Sequence, residues 1–260
     1  MTEVVAQAPP ALVVEGLTKR YGAVAALDGV SFVLPPGTVY GLVGPNGSGK
    51  TTLLRILATL ERPTAGAVRL AGLDPLASPG AVRRVVGYAG PPIGTPELTV
   101  GEEIAAAARL AGVGGLERGE SIAAMLQIVD LYDRRHRRVA ELSRGDRKRL
   151  AVARALVHDP TVLLLDGPFE GLDGRAQGEL RAVLAELAAL GKTLVVAAST
   201  LAELAGLAHA VGVLDAGRLV ASGPIEELLA TADPAVADLL RALEGSDAGL
   251  LAAAGAPDLG

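Results

Sequence analysis

Short apolar runs separated by Gly, Pro and Asp mark most of the regular structure this chain predicts. Leu12 to Gly16 and Ser31-Phe32-Val33-Leu34 read as strands, the second ended by Pro35-Pro36-Gly37. Further strands are expected at Thr38 to Val43, Ala67 to Leu70 and Val85 to Tyr88, and an amphipathic helix at Thr52 to Ala58. From about Val100 to Ala140 the period becomes helical, with Ile104, Ala108 and Leu110, then Ile122, Leu126, Ile128 and Leu131. Val162-Leu163-Leu164-Leu165 is apolar at every position, as a parallel strand buried on both faces requires. After residue 174 strands and helices alternate up to about Ala230. This order predicts an α/β fold with a mostly parallel sheet core and a helical insert at about 99–158. The body runs over 11–230. Residues 1–10, with Pro9-Pro10, read as a loose leader, and 231–260 as a tail with one short helix at Ala235 to Leu243.

One stretch imitates a membrane span. Between Thr193 and Leu214 the only formal charge is Glu203, and the length would cross a bilayer. Ser199-Thr200 inside it and Asp215-Ala216-Gly217 after it read better as turns. The expected division is a buried strand (Thr193 to Ala198), a helix (about Thr200 to Ala208) and a second strand (Val211 to Leu214). Glu203 at mid-membrane would also cost about 3 kcal/mol.

Composition narrows the function. Half of the 260 residues are hydrophobic, yet there are only four Tyr, two Phe and no Trp, so Ala, Leu and Val build the core. A net charge of −5 argues against a general nucleic-acid binder. With no cysteine there are no disulfides or thiolate-held metals, which suits a reducing cytoplasm. The N-terminus carries Glu3 and lacks the basic-then-apolar order of a secretion signal. None of His136, His158 and His209 has a metal-ligand residue three or four positions after it. His158 is expected to interact with a helix dipole, and Arg134 to Arg138 to form a solvated basic run.

The chemistry begins at Gly44-Pro45-Asn46-Gly47-Ser48-Gly49-Lys50-Thr51, followed by Thr52. The octapeptide fits the phosphate-binding loop pattern and lies between a strand and a helix, where backbone N–H groups can converge on an anion. Lys50 is expected to reach the β- and γ-phosphates of a nucleoside triphosphate, and the Thr51 hydroxyl to ligate Mg2+. Asp166 ends an apolar strand and would hold the same ion through its water shell.

Beyond the loop the chain resembles the ATP-binding cassette (ABC) family over roughly residues 12–230. The resemblance rests on Tyr21 before the loop, Pro63-Thr64-Ala65-Gly66 after it, and Leu142-Ser143-Arg144-Gly145-Asp146 opening a helix where the family has its Leu-Ser-Gly-Gly-Gln signature. Ala151 to Leu156, Asp166, Gly171-Leu172-Asp173 and Asp215 to Val220 complete it, and the guanine-reading motif of GTPases is absent. Ile56 to Leu60 and the Arg-rich signature look most like exporter subunits whose membrane part is a separate chain. The resemblance implies a P-loop NTPase cassette with an antiparallel β subdomain. Two cassettes, in a homodimer or heterodimer, would sandwich two ATP molecules, each site joining one chain's loop to the partner chain's signature. Tyr21 would stack on adenine. The chain would sit in the cytoplasm, peripheral on the inner face of the cell membrane, bound to a membrane-spanning transporter subunit.

Three positions that the family uses for hydrolysis depart from its pattern. Gly167 stands where the family's Glu polarises the attacking water, Ser199 where it has His, and the family's Gln falls near Gly90 or Pro91. A missing general base lowers a rate by about 10²–10⁴-fold, so slow hydrolysis is expected. Glu170 lies three residues past Gly167, but the turn at Pro168 leaves its direction open, and the reading favoured here gives it no role. Two alternatives stand beside the slow cassette: an ATP-responsive regulator or scaffold without transport, and a fully active ATPase with compensating groups.

Overall fold

The computed structural model describes residues 9–91, 94–231 and 234–244. Most of the predicted leader and the end of the predicted tail lie outside the described residues. The strands are β1 (Leu12–Tyr21), β2 (Val24–Leu34), β3 (Val39–Val43), β4 (Ala65–Leu70), β5 (Val86–Ala89), β6 (Val162–Asp166), β7 (Thr193–Ala198), β8 (Ala210–Asp215) and β9 (Arg218–Gly223). The helices are α1 (Lys50–Leu57), α2 (Pro79–Val85), α3 (Val100–Leu110), α4 (Gly115–Ile128), α5 (Arg144–Leu156), α6 (Gly174–Ala189), α7 (Ile225–Thr231) and α8 (Pro234–Ala242).

A six-stranded sheet in the order β5-β6-β7-β3-β8-β9 forms the centre, parallel except for the β8–β9 pair. A separate antiparallel sheet, β2-β1-β4, covers one side of it. Alternation explains the continuous apolar runs. Leu163 and Leu165 of β6, with Val196 of β7 and Val43 of β3, point into a core shared with α3, α5 and α6. Leu164, Val195 and Leu42 point the other way, into a second core closed by α1 and the antiparallel sheet. Both faces of the central strands are dry, so β6 is apolar from Val162 to Leu165 and β7 from Leu194 to Ala198.

Helix α3 is cut at its start by a capping box: the Thr99 hydroxyl accepts from Glu102 N at 3.2 Å, and the Glu102 carboxylate accepts from Thr99 N at 2.7 Å. Three expectations change. The helix predicted over 200–208 is a single 3₁₀ turn, Ala202–Leu204, because this stretch plugs the sheet: Leu204 is fully buried beneath Gly41, where any Cβ would come within 2.2 Å of Leu204 Cδ1. Leu110 is 90% exposed rather than buried on the helical face. His158 donates from Nε2 to the Val86 carbonyl at 3.1 Å, tying α5's end to β5 instead of a helix dipole. The Thr193–Leu214 stretch is β7, the 3₁₀ turn and β8, and among the described residues no helix is long and apolar enough to cross a membrane.

Candidate functional site

The parallel strands β3, β6 and β7 end side by side, with Val43 paired to Ala198 and Asp166 to Ala197. In a parallel α/β sheet this carboxyl edge is where ligands bind. The phosphate loop leaves β3 here and passes directly into α1. Gly49 caps that helix at φ 107°, and a Cβ there would lie 2.4 Å from the Ala26 carbonyl, so only glycine lets the loop close this tightly. Lys50 folds back along the loop, its Nζ donating to the carbonyls of Gly44 at 2.6 Å and Pro45 at 3.0 Å. Burial pulls its pKa down, opposed by the carboxylates of Glu170, Asp166 and Glu203.

Thr51 Oγ1 donates to Asp166 Oδ1 at 3.0 Å, so the two oxygens expected at the metal come from different elements and meet. Tyr88, on β5, donates its hydroxyl to the other oxygen, Asp166 Oδ2, at 3.1 Å. Burial first, and then Asp166, push the Tyr88 phenol well above its ordinary range, so it stays a donor. This hard-oxygen pair fits Mg2+, which keeps most of its water and leans on substrate phosphates. Among the described residues no cluster of three His, Cys, Asp or Glu could cage a metal unaided, and such a site needs none.

Tyr21 is 47% exposed, so its ring is not part of the core. Its hydroxyl donates to Glu61 and its ring carries Lys19 Nζ at 4.8 Å from the centroid, so the aromatic face is fixed at the surface. The predicted signature splits in two. Ser143 and Arg144 are exposed at the start of α5, with Ser143 Oγ accepting from Asp146 N at 3.1 Å and Arg144 donating to the Gly171 carbonyl at 3.0 Å. Gly145 is partly covered, while Leu142 and Asp146 are buried; Asp146 pairs with Arg149 at 2.9 Å and Arg134 at 3.6 Å inside its own chain. That pairing draws Arg134 out of the predicted solvated run.

The turn after β6 differs most from its reading in the sequence. Glu170 N donates to the Gly167 carbonyl at 3.3 Å, closing a β-turn with Pro168 at its second position. Phe169 is fully buried, and Gly167 sits at φ +59°. The chain therefore doubles back, and the Glu170 carboxyl lies over the bare face of Gly167, its Cδ 2.6 Å from where a Cβ would be. Lys148, buried on α5, donates its Nζ to the same Gly167 carbonyl. Sequence reasoning missed Lys148, although Lys148, Val152 and Ala155 share a helical stripe and a charge in that stripe was a readable signal.

The ABC transporter family model matches residues 27–170, from β2 through the phosphate loop, helical insert and signature to Glu170. The chain belongs to the ABC transporter family. It is 38% identical over 224 residues to the daunorubicin resistance ATP-binding protein DrrA3 of Streptomyces coeruleorubidus, covering 86% of this chain and 71% of that one. It is 37% identical over 215 residues to the Nod factor export ATP-binding protein I of Paraburkholderia xenovorans, covering 82% and 70%. Among solved structures it is similar to an ATP-binding subunit of an ABC transporter (TM-score 0.75, 28% identity, 85% of this chain and 92% of that one). It is similar also to a dimeric ATP-binding cassette in a post-hydrolysis state bound to ADP and Pi (TM-score 0.74, 26% identity, 82% and 98%).

At the two other departures the described residues of this ABC cassette make the following contacts. Ser199 follows β7 directly, its N–H donating to Glu203 Oε2 at 2.9 Å. Burial pushes the Glu203 carboxyl up, and its backbone donors hold it down. Near Pro91, the Tyr88 ring occupies the space a side chain on Gly90 would enter, with Cε1 at 2.6 Å from the ideal Cβ.

Proposed function

We propose that this cassette is the ATP-binding subunit of an exporter. It would bind Mg-ATP between its own phosphate loop and the partner cassette's Ser143–Gly145 segment, and gate a separate membrane subunit from the cytoplasmic face. The observation that carries the reading is the Thr51–Asp166 contact beneath the loop, with the drug-resistance and export relatives pointing to the direction of transport. Mg2+, when bound, would neutralise charge on the phosphates. Lys50 would exchange its two loop carbonyls for phosphate oxygens, and Tyr21 would offer its open face to adenine. Hydrolysis is slow in this reading because Ser199 and Pro91 cannot do what His and Gln do.

Titration calorimetry with Mg-ATP is expected to give micromolar to sub-millimolar affinity, and light scattering a dimer with ATP but not with ADP. No heat on ATP addition would end the proposal.

A docking face for the membrane subunit is supported by the cleft of about 630 Å3 between α3 and the sheet edge, which Leu60, Pro91 and Leu110 line. Leu60 is 55% exposed and Leu110 90%, a pair of large apolar side chains that a partner would cover. Leu110→Glu is expected to abolish co-purification with a co-expressed membrane subunit that the parent chain retains, without changing ATP affinity. Undiminished co-purification would move the docking face elsewhere.

A further inference from the structure

We infer that Glu170 supplies the carboxylate that the turn after β6 lacks at position 167, and that the hydrolysis this cassette performs runs through it. The inference rests on the ATP-site reading above and extends it to the water.

Several independent contacts place the group. The β-turn from Gly167 to Glu170 brings the two residues together, and the buried Phe169 ring anchors the turn from below, 5.7 Å from the Arg181 guanidinium. Because Gly167 has no side chain, the Glu170 carboxyl can lie against it, with Cδ and both oxygens 2.6–2.9 Å from the missing Cβ. The carboxyl thus enters the volume that a glutamate on residue 167 would fill. It opens into the same cavity, about 170 Å3, as Lys50, Thr51, Asp166 and the loop glycines Gly47 and Gly49.

The turn is held from behind. The Gly167 N–H donates to Ala197 O at 3.2 Å, and its carbonyl accepts from buried Lys148. Lys148 is a positioning residue in this scheme: it fixes the peptide over which the carboxyl is folded. A glutamate on position 167 and one on position 170 cannot both occupy that space. The left-handed φ of +59° at Gly167 favours the glycine that lets Glu170 in.

The step balances simply. A water oxygen bonds to the γ-phosphorus as the bond from that phosphorus to the bridging oxygen breaks, and the electron pair leaves with ADP. Glu170 accepts the water's proton and releases it to solvent after phosphate departs.

The test uses the full chain and three variants, Glu170→Gln, Glu170→Ala and Glu170→Ala combined with Gly167→Glu, each checked for the parental melting temperature and Mg-ATP affinity. Single-turnover hydrolysis in Glu170→Gln is expected to fall by about 10²-fold or more, the general-base range. ATP affinity should stay within about twofold, and nucleotide recovered from the ATP-closed dimer should change from mostly ADP to mostly ATP. Adding Gly167→Glu to Glu170→Ala, whose short side chain clears that space, should recover part of the rate that Glu170→Ala loses, limited by the strained backbone at residue 167. Hydrolysis by Glu170→Gln at the parental rate with binding intact overturns the role of Glu170 and leaves the ATP-binding reading standing. A parent that binds ATP and never cleaves it overturns the role as well. A parent that binds no ATP overturns both.

Discussion

Lys50→Ala is expected to weaken Mg-ATP binding by about 30-fold or more. Removing one partner of a desolvated, hydrogen-bonded charge pair costs about 2–5 kcal/mol, and each 1.4 kcal/mol is tenfold in affinity. Lys50 is the only cation within the loop, and burial has already stripped part of its water, so its attraction for phosphate is little screened. In the free loop the ammonium also ties the Gly44 and Pro45 carbonyls together, and alanine would loosen the cradle as well as discharge it. Calorimetry on parent and variant decides the matter. Equal affinities would mean that nucleotide does not bind in this loop.

Ser143→Arg should abolish the ATP-dependent dimer while leaving the affinity of the single chain for ATP nearly unchanged. Ser143 and Arg144 are exposed at the start of α5 and far along the sequence from the loop, on a surface they share with Gly171 and Asp173. A long cation there would block a close approach by the partner's phosphate site. The same substitution removes the cap that Ser143 gives Asp146 N, so a loss of about 1 kcal/mol in stability is expected alongside it. Scattering mass must therefore be compared at a temperature where both proteins are folded. A variant that still doubles its mass with ATP would put the partner's contact somewhere other than the signature.

The sequence disclosed what strong local physics dictates. β6 was legible because a strand dry on both faces has no freedom to vary, and the phosphate loop because its glycines and Lys50 follow from anion geometry. The helical insert followed from the helical period after Val100, and the antiparallel sheet from the family resemblance. Helix α2 escaped because only Val82 and Val85 mark its apolar side over seven residues. The stretch over 200–208 misled because Leu201, Leu204 and Leu207 carry a helical spacing, while the fold uses Leu204 as a plug under β3. Leu110 fits the α3 pattern yet faces a cleft, since periodicity assigns a face and not what covers it. Glu170 was the hardest position to read: side-chain direction after a proline turn depends on the left-handed Gly167 and the buried Phe169, and neither can be read from spacing.

Asp166 receives two donors from opposite directions, Thr51 on α1 and Tyr88 on β5. Tyr88 is followed within three residues by Pro91, on the rim of the cleft that also holds Leu110. A ligand that draws on Asp166 competes with or reinforces the Tyr88 bond, and a ligand that shifts the 88–91 segment does the same from the other side. The two are then thermodynamically linked: whatever factor one lends to the affinity of the other is returned in equal measure. In this chain the link runs through a phenol, a group that stays a donor across the physiological pH range, so the coupling should be insensitive to acidity.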